Sequence, residues 1–103
     1  MSLKKLPSIR RIMETKNYKL AWIYGGVGAE MPAHNIREES ILLVQRGNAV
    51  LTFENQIIEM KKNDCHLIPG YAMHSLKISG DFEGLTIMSL NARLEFALPE
   101  LIY

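Results

Sequence analysis

Short apolar segments separated by turn-forming residues run through most of this chain. From Tyr18 onward, Gly, Asn, Asp or Pro stands between one apolar segment and the next. Such even spacing of short segments is typical of an all-β sandwich or barrel. Most of the connections have hairpin length, so neighbouring strands should be antiparallel. The pattern predicts strands at Tyr18–Tyr24, Ser40–Arg46, Asn48–Glu54, Gln56–Met60, Asp64–Pro69, Met73–Ser79 and Phe82–Leu90.

Alternation within these segments indicates which faces are buried. In Asn48–Glu54 the bulky apolar side chains are Leu51 and Phe53, which share one face and are predicted to point inward. Ile41–Val44 is apolar at every position, as expected for a strand that is covered on both sides.

Three further side-chain types carry expectations of their own. Cys65 is predicted to be a small core residue, and His66, on the opposite face, a histidine of the sheet surface. Tyr18, Trp22 and Tyr24 share one face of their strand, which favours a core or dimer surface over a ligand platform.

The two ends of the chain differ from the middle. Residues 1–16 form a basic leader in which Ile9, Ile12 and Met13 recur at helical spacing, so they predict either a short helix or a partly ordered arm. Residues 91–98 suit a helix that Pro99 would end. The chain is thus expected to be one domain, 1–103, with an arm at 1–16, a β-barrel at 17–90 and a C-terminal helix in 91–103.

Composition and charge narrow the function. The 103 residues are 48% hydrophobic, enough for one core and too few for a second domain. Twelve basic against eleven acidic residues leave a net charge of +1, which favours no contact with nucleic acid. The longest uncharged apolar stretch, Leu20–Ala29, is too short and too rich in glycine to cross a membrane. The single cysteine, Cys65, favours a reducing compartment, so we expect a cytoplasmic protein.

Two runs, from His34 to Gly47 and from Asn63 to His74, resemble the two motifs of the cupins, which are small jelly-roll barrels. The second motif matches better: Asn63-Asp64 stands where cupins carry Gly-Asp, and Pro69 and His74 keep the family spacing. The glycine of that motif falls at Tyr71 and its final asparagine at Ile78. The resemblance covers about the middle half of the chain. It implies a cupin double-stranded β-helix, a jelly-roll barrel of antiparallel strands.

The first motif is degraded, and this bears on metal binding. Counting back from Gly47 places the family's glutamate at Ser40, its second histidine at Ile36 and its first at His34. Two of the four usual ligands are missing, whereas a metal site generally needs three or four. We therefore favour no metal cofactor. If a divalent metal is bound, the set would be His34, Glu39 and His74, although Glu39 should point to the face opposite position 40.

Within the cupins, the segments Ile41–Leu51, Leu67–His74 and Asp81–Leu90 resemble the amino-terminal domains of AraC-type transcription regulators. The resemblance implies an effector-sensing domain that forms a homodimer and binds a small polar effector near His34, Tyr71 and His74. The DNA-binding part would lie outside this chain. The apolar ending Leu101-Ile102-Tyr103 agrees with that expectation, because natural chain ends are usually polar.

Two alternatives from other classes stay open. One is a stand-alone small cupin of unknown activity, such as an isomerase or dioxygenase, with a metal or with His74 and Glu39 as acid and base. The other is an interaction module whose barrel is filled by its own side chains. Helix-turn-helix coding sequence in the next hundred codons of the gene would favour the regulator.

Overall fold

The computed structural model of the chain describes residues 5–92 and 94–96. All regular structure in these residues is β, and every pair of strands is antiparallel. The strands are β1 (Ser8–Glu14), β2 (Tyr18–Gly25), β3 (Glu30–Ile36), β4 (Ser40–Phe53), β5 (Gln56–Lys61), β6 (Cys65–Ile68), β7 (His74–Ser89) and β8 (Leu94–Phe96). The prediction of an all-β antiparallel fold is confirmed.

The strands form two layers that share β4 and β7. The front layer runs β1, β2, the second half of β7, the first half of β4, and β6. The back layer runs β8, β3, the first half of β7, the second half of β4, and β5. Because the two long strands cross from one layer to the other, hydrogen bonding is continuous through the whole barrel.

The crossing of β4 takes place at Gly47. The sequence predicted separate strands before and after Gly47, and likewise before and after Gly80, but each pair is one strand that bends. The register between β4 and β7 shifts repeatedly from Val44 to Ala49. Gly47 has a φ of +77°, and a Cβ there would lie 1.7 Å from the carbonyl oxygen of Asp81. Only glycine allows the two backbones to approach this closely.

The core lies between the layers, and the bend accounts for its residue pattern. On β4, Leu42 and Val44 are buried before the bend, and Ala49, Leu51 and Phe53 after it. The register shifts thus change the inward parity from even to odd positions. The inward placement of Leu51 and Phe53 is confirmed. The alternate positions Ile41 and Leu43 are half-buried on the outer face.

The arm expected at 1–16 is a strand from Ser8 onward, so the helical interpretation is wrong for those residues. β1 pairs with β2 along its length, with a bulge between Arg11 and Met13. All seven of its residues are exposed. The bulge explains the misleading spacing, because an extra residue makes apolar positions recur at intervals that resemble helical ones.

The helix expected at 91–98 is also wrong where the structure describes it. Leu94–Phe96 forms β8, which pairs with Asn35 and its neighbours on β3. An open edge of the back layer thus recruits a segment with good helix-forming residues, since tertiary pairing overrides local propensity. The other residues of the expected helix beyond Ala92 lie outside the described ones.

β3 was not predicted, because Pro32 argues against a strand. Proline cannot donate to a neighbouring strand and is confined to edges and irregular positions. The pairing of β3 with β7 is irregular here, with a register shift between Met31 and His34. The strand therefore tolerates Pro32 at the point where the ladder is broken.

The faces of β6 are opposite to those expected. Cys65 is exposed and not a core residue, whereas His66 is half-buried with its ring 5.6 Å from that of Phe53. Alternation correctly separated the two side chains but could not tell which face is inward. Trp22 and Tyr24 lie on the outer face of β2, with ring centroids 6.4 Å apart, since Ala21 and Ile23 occupy the core.

The bend at Gly47 predicts a large effect for one methyl group. Gly47→Ala should lower the free energy of unfolding by about 3 kcal/mol or more, because it combines a left-handed backbone with a steric clash. Gly26→Ala is the matched control, since a Cβ at Gly26 meets nothing within 4 Å. It should change stability by less than about 1 kcal/mol. Urea unfolding of both variants checks this, and equal effects would contradict the role of Gly47.

Candidate functional site

Two histidines face each other inside the barrel. His34 on β3 and His74 at the start of β7 are direct cross-strand partners. Each side chain is only 4% exposed, and their ring centroids lie 4.1 Å apart at an interplanar angle of 57°. The inward pair results from register: Phe53 on β4 is the partner of His74 on its other side and is itself a core residue.

Backbone carbonyls orient both rings. His34 Nδ1 lies 2.7 Å from the carbonyl oxygen of Pro32, and His74 Nδ1 lies 2.9 Å from that of Ala72. A carbonyl oxygen only accepts, so each Nδ1 carries the proton and donates it. In the neutral ring Nε2 is then the acceptor. The two imidazoles are thus fixed in one tautomer by equivalent bonds to the residue two positions earlier.

Both rings are held in the neutral form. Burial, helped by the neighbouring His74, lowers the pKa of His34 from 6.5 to about 4, against a smaller opposing effect of the bond to Pro32. Burial likewise lowers the pKa of His74, opposed by its bond to Ala72. The pair therefore presents neutral hydrogen-bonding groups at physiological pH.

The histidines line a small cavity, the His cavity, between the two layers. Its volume is about 60 Å³, room for roughly four water-sized groups. Ser40 and Thr86 are its other polar lining residues in the described part of the chain, and the remaining lining side chains are aliphatic or methionine. Ser40 Oγ is fully buried with no hydrogen-bond partner among the described residues. A buried hydroxyl left in this way is destabilising, by about 1–3 kcal/mol, unless something binds to it.

The four positions that the resemblance assigns to metal ligands do come together. His34, Ile36, Ser40 and His74 all line the His cavity, so the alignment by counting back from Gly47 places residues correctly in space. Two of the four now carry an aliphatic side chain and a hydroxyl. The four positions of the cupin ligand site therefore converge on one cavity, but only two of the residues there can bind a metal.

A divalent metal does not fit these residues. Glu39, the remaining candidate ligand, is exposed. It lines a separate groove on the outer surface together with Ile41. Among residues 5–92, no group of three or more His, Cys, Asp or Glu side chains is arranged to hold a metal. The set of His34, Glu39 and His74, named for the case that a metal is bound, does not form a cluster among the described residues, because Glu39 lies in the connection before β4 and is exposed.

Tyr71 lies away from the His cavity. Its side chain is 66% exposed, and it is not among the residues that line the cavity. Tyr71 occupies the family's glycine position and keeps the backbone that glycine would adopt, with a φ of +65°. Asn63 similarly takes a φ of +76°, as its place in the motif suggested. The turn is thus preserved, but the tyrosine ring does not join the histidines.

Sequence reasoning missed Thr86 and gave Ser40 no role beyond a lost ligand. Alternation along β7 places Thr86 on the inward face with Phe82 and Met88. The alternation therefore predicts that Thr86 points inward. It does not predict that the hydroxyl lines a cavity, because threonine is common in half-buried strands.

Described residues contain no helix with the length and apolar character needed to span a membrane.

The neutral histidines predict a loss of stability in acid. Above pH 6.5 His34 is neutral in both the folded and the unfolded chain, whereas between 6.5 and about 4 only the unfolded chain takes up the proton. Stability should therefore fall as pH falls through this window, by on the order of 3 kcal/mol from His34 alone. Urea unfolding at pH 7, 6, 5 and 4.5 measures the slope.

One variant isolates the contribution. His34→Asn keeps a donor for the carbonyl of Pro32 but removes the titrating ring, so its stability should depend less steeply on pH. Parallel curves for wild type and His34→Asn would show that His34 is not held neutral by the fold.

Comparison with known proteins gives a likeness of structure and not of sequence. No family model matches this sequence, and no curated protein sequence matches it. Among solved structures, a cupin superfamily protein from Desulfitobacterium hafniense is 18% identical with a TM-score of 0.77, over 88% of this chain and 84% of that one. An RmlC-like cupin family protein with a double-stranded β-helix fold, from Methanocaldococcus jannaschii, is 18% identical with a TM-score of 0.73, over 82% and 81%.

An enzyme of the same fold is also similar. Salicylate 1,2-dioxygenase from Pseudoaminobacter salicylatoxidans, in a structure with gentisate, is 13% identical with a TM-score of 0.79, over 88% of this chain and 29% of that one. At these identities the likeness concerns the fold. Together with the two-layered topology and the convergence of the four motif positions on one cavity, it shows that this chain has the cupin fold, a jelly-roll barrel.

Proposed function

We propose that this chain is the effector-sensing and dimerisation domain of an AraC-type transcription regulator, with the His cavity as its effector site. The observation that carries the proposal is a neutral, fully buried histidine pair in a cavity that keeps the cupin ligand positions without the cupin ligands. Such a cavity can bind a molecule but is poorly equipped to activate one, because its described lining residues include no carboxylate and only two metal-ligating side chains.

The chemistry of the cavity favours a small uncharged group with a hydrogen-bond donor. Burial disfavours the protonated form of both rings, so His74 offers Nε2 as an acceptor rather than a positive charge. Ser40 Oγ has no partner among the described residues and completes the polar corner. A hydroxyl or amide on an apolar body would satisfy these groups and remove water from the aliphatic wall.

The alternative is a stand-alone small cupin of unknown activity. The D. hafniense neighbour supports it, since this chain covers 84% of that protein. The dioxygenase neighbour supports an enzyme of the same fold. For this chain an enzymatic role requires a metal at the histidines or an acid-base pair, and Glu39 is exposed before β4 and does not line the His cavity. The sensor is therefore the preferred function.

The outer surface of the front layer supports dimerisation. Trp22, Leu85 and Leu43 form one cross-strand row, and Ile87, Ile41 and Leu67 form the next. We call these six residues the outer apolar face. Each is exposed or half-buried, and a contiguous apolar patch of this kind typically marks an interaction site. A second copy of the chain fits it, because an uncharged patch is compatible with a twofold axis.

A cytoplasmic location agrees with the exposed thiol. Cys65 is a free cysteine on the outward face of β6, and exposed thiols persist unmodified mainly in reducing compartments.

The effector site can be tested with uncharged fragments that reach the histidine rings. Isopropanol, acetamide and propionamide, titrated at millimolar concentration, should shift the ring carbon–proton NMR signals of His34 and His74 and leave His66 unchanged. Ser40→Val fills the cavity and removes its hydroxyl, so it should abolish these shifts. A wild-type spectrum in which no fragment perturbs the buried pair would contradict the effector site.

The same NMR signals test the alternative function, a metal-dependent cupin. Zn²⁺ and Mn²⁺, added in turn at stoichiometric concentration, should leave the signals of the buried pair in place. Shifts with Zn²⁺ and broadening with Mn²⁺ that are confined to His34 and His74 would favour the metal-dependent cupin.

Dimerisation can be tested with a matched pair of charge substitutions. Leu67 is 50% exposed on the outer apolar face, and Ile57 is 76% exposed on β5 of the back layer. The wild type should sediment as a dimer at micromolar concentration. Leu67→Glu should raise the dissociation constant by at least about tenfold, which corresponds to about 1.4 kcal/mol, and Ile57→Glu should leave it unchanged. A monomeric wild type, or equal effects of both variants, would reject this interface.

A further inference from the structure

A second and larger cavity lies beside the His cavity. It has a volume of about 420 Å³, within the range of typical small-molecule sites. It lies under β1 and β2 and is mostly apolar. We call it the mouth cavity. Ile9, Met31 and Met88 line both cavities, so these three side chains form the wall between them.

Two cations line this cavity: Lys19 is half-buried, whereas the Arg11 side chain is 66% exposed. Lys19 is the cross-strand partner of Met88, which is buried, and Arg11 is the partner of Ala21, which is also buried. Both positions thus share the parity of the core, where polar side chains are uncommon. Arg11 and Lys19 are the charged residues among the described ones that line the mouth cavity, and no carboxylate joins them there.

The surroundings of the two cations leave capacity to bind an anion. Lys19 Nζ is half-buried and donates to the carbonyl oxygen of Ala92 at 2.6 Å, which uses one of its three donors. Arg11 bonds to Glu14 at 2.9 Å through one terminal nitrogen, in an exposed pair. Exposed pairs of this kind contribute little and exchange readily. Lys19 therefore keeps further donors beside a mostly apolar lining, and Arg11 can exchange Glu14 for the anion of a ligand.

We propose that the mouth cavity binds the carboxylate of a small amphipathic acid, with Lys19 and Arg11 on the carboxylate and the apolar body along Ile9 and Met88. The proposal rests on the proposed effector function and names the ligand class for it. A carboxylate at a partly desolvated ammonium forms a charge-assisted hydrogen bond, which is stronger than one between neutral groups. The body of the ligand points towards the His cavity, whose neutral rings suit an uncharged inner end.

The two cavities differ in the charge of their lining residues, and this difference determines the orientation of the bound acid. A carboxylate placed at His34 and His74 would lose its hydration beside two rings that burial keeps uncharged. At the mouth the carboxylate meets two cations and keeps part of its water. The acid is therefore expected to enter with its apolar body first.

The test compares three probes that share one apolar chain: octanoate, 1-octanol and octylammonium. Calorimetric titration at low salt should give octanoate an affinity at least tenfold above that of 1-octanol, with octylammonium weakest. Lys19→Met keeps the apolar stem and removes the charge, so it should bring octanoate to the level of 1-octanol. Lys62→Met, in the exposed turn after β5, is the matched control and should bind all three probes as the wild type does.

A second variant guards against loss of folding, since Lys19 also holds Ala92. Arg11→Met should lower octanoate affinity severalfold with unchanged thermal unfolding, and raising the salt concentration should weaken octanoate but not 1-octanol. Backbone amide NMR shifts with octanoate should centre on Ala21 and Met88.

The outcomes separate the two levels of the proposal. Equal affinities of octanoate and 1-octanol in the wild type, or octanoate binding that survives both Lys19→Met and Arg11→Met, would overturn the carboxylate site while leaving the effector cavity intact. Absence of binding by all three probes, combined with uncharged fragments that fail to shift His34 and His74, would reject the effector function as well.

Discussion

The close approach of two backbones at Gly47 is the constraint on which the barrel depends. A Cβ at this position would lie 1.7 Å from the carbonyl oxygen of Asp81, so β4 and β7 can cross between the layers together only because the side chain is absent. Without this crossing each layer would end at an open edge in the middle of the molecule. The shared strands instead make the hydrogen bonding continuous and bring the inner faces of both layers onto one core.

The same crossing assembles the His cavity from residues that are far apart in sequence. Ser40 and Thr86 belong to the front layer and pair with their neighbours before the bend, whereas His34 and His74 belong to the back layer. A cavity between layers therefore receives its hydroxyls from one side and its imidazoles from the other. Its geometry follows from the register of β4 with β7, which the bend sets.

This division also explains what the sequence could predict. Most strand positions from Tyr18 to Leu90, other than β3, and the inward face of Leu51 and Phe53 follow from period-two alternation, which is a local property. The pairing of β1 and β8 is not local: both segments have helical spacing or propensity and become strands only because an edge is available to them. β3 was not predicted because it contains Pro32. The strand tolerates this proline because its pairing with β7 is irregular at that point, and this irregularity is not a local property either.

The candidate site was predictable to the extent that it depends on counting. Anchoring on Gly47 correctly placed His34, Ile36 and Ser40 around one cavity with His74. Counting could not predict the direction of the Tyr71 side chain. Its φ of +65° breaks the alternation of side chains along an extended backbone. Glu39 lies outside the cavity because it belongs to the exposed connection between β3 and β4, directly before Ser40.

The hydroxyl of Ser40, at the position where the cupin motif has a carboxylate, affects the charge of the histidines beside it. A carboxylate at that position would favour protonated histidines beside it, whereas a hydroxyl supplies no counter-charge and burial then keeps both rings neutral. The interior of this barrel is thus uncharged by construction, and a ligand cannot be held there through its charge. The two cations that line the neighbouring cavity, Arg11 and Lys19, keep access to water, so the charge of the proposed acid would be met there and not beside the histidines.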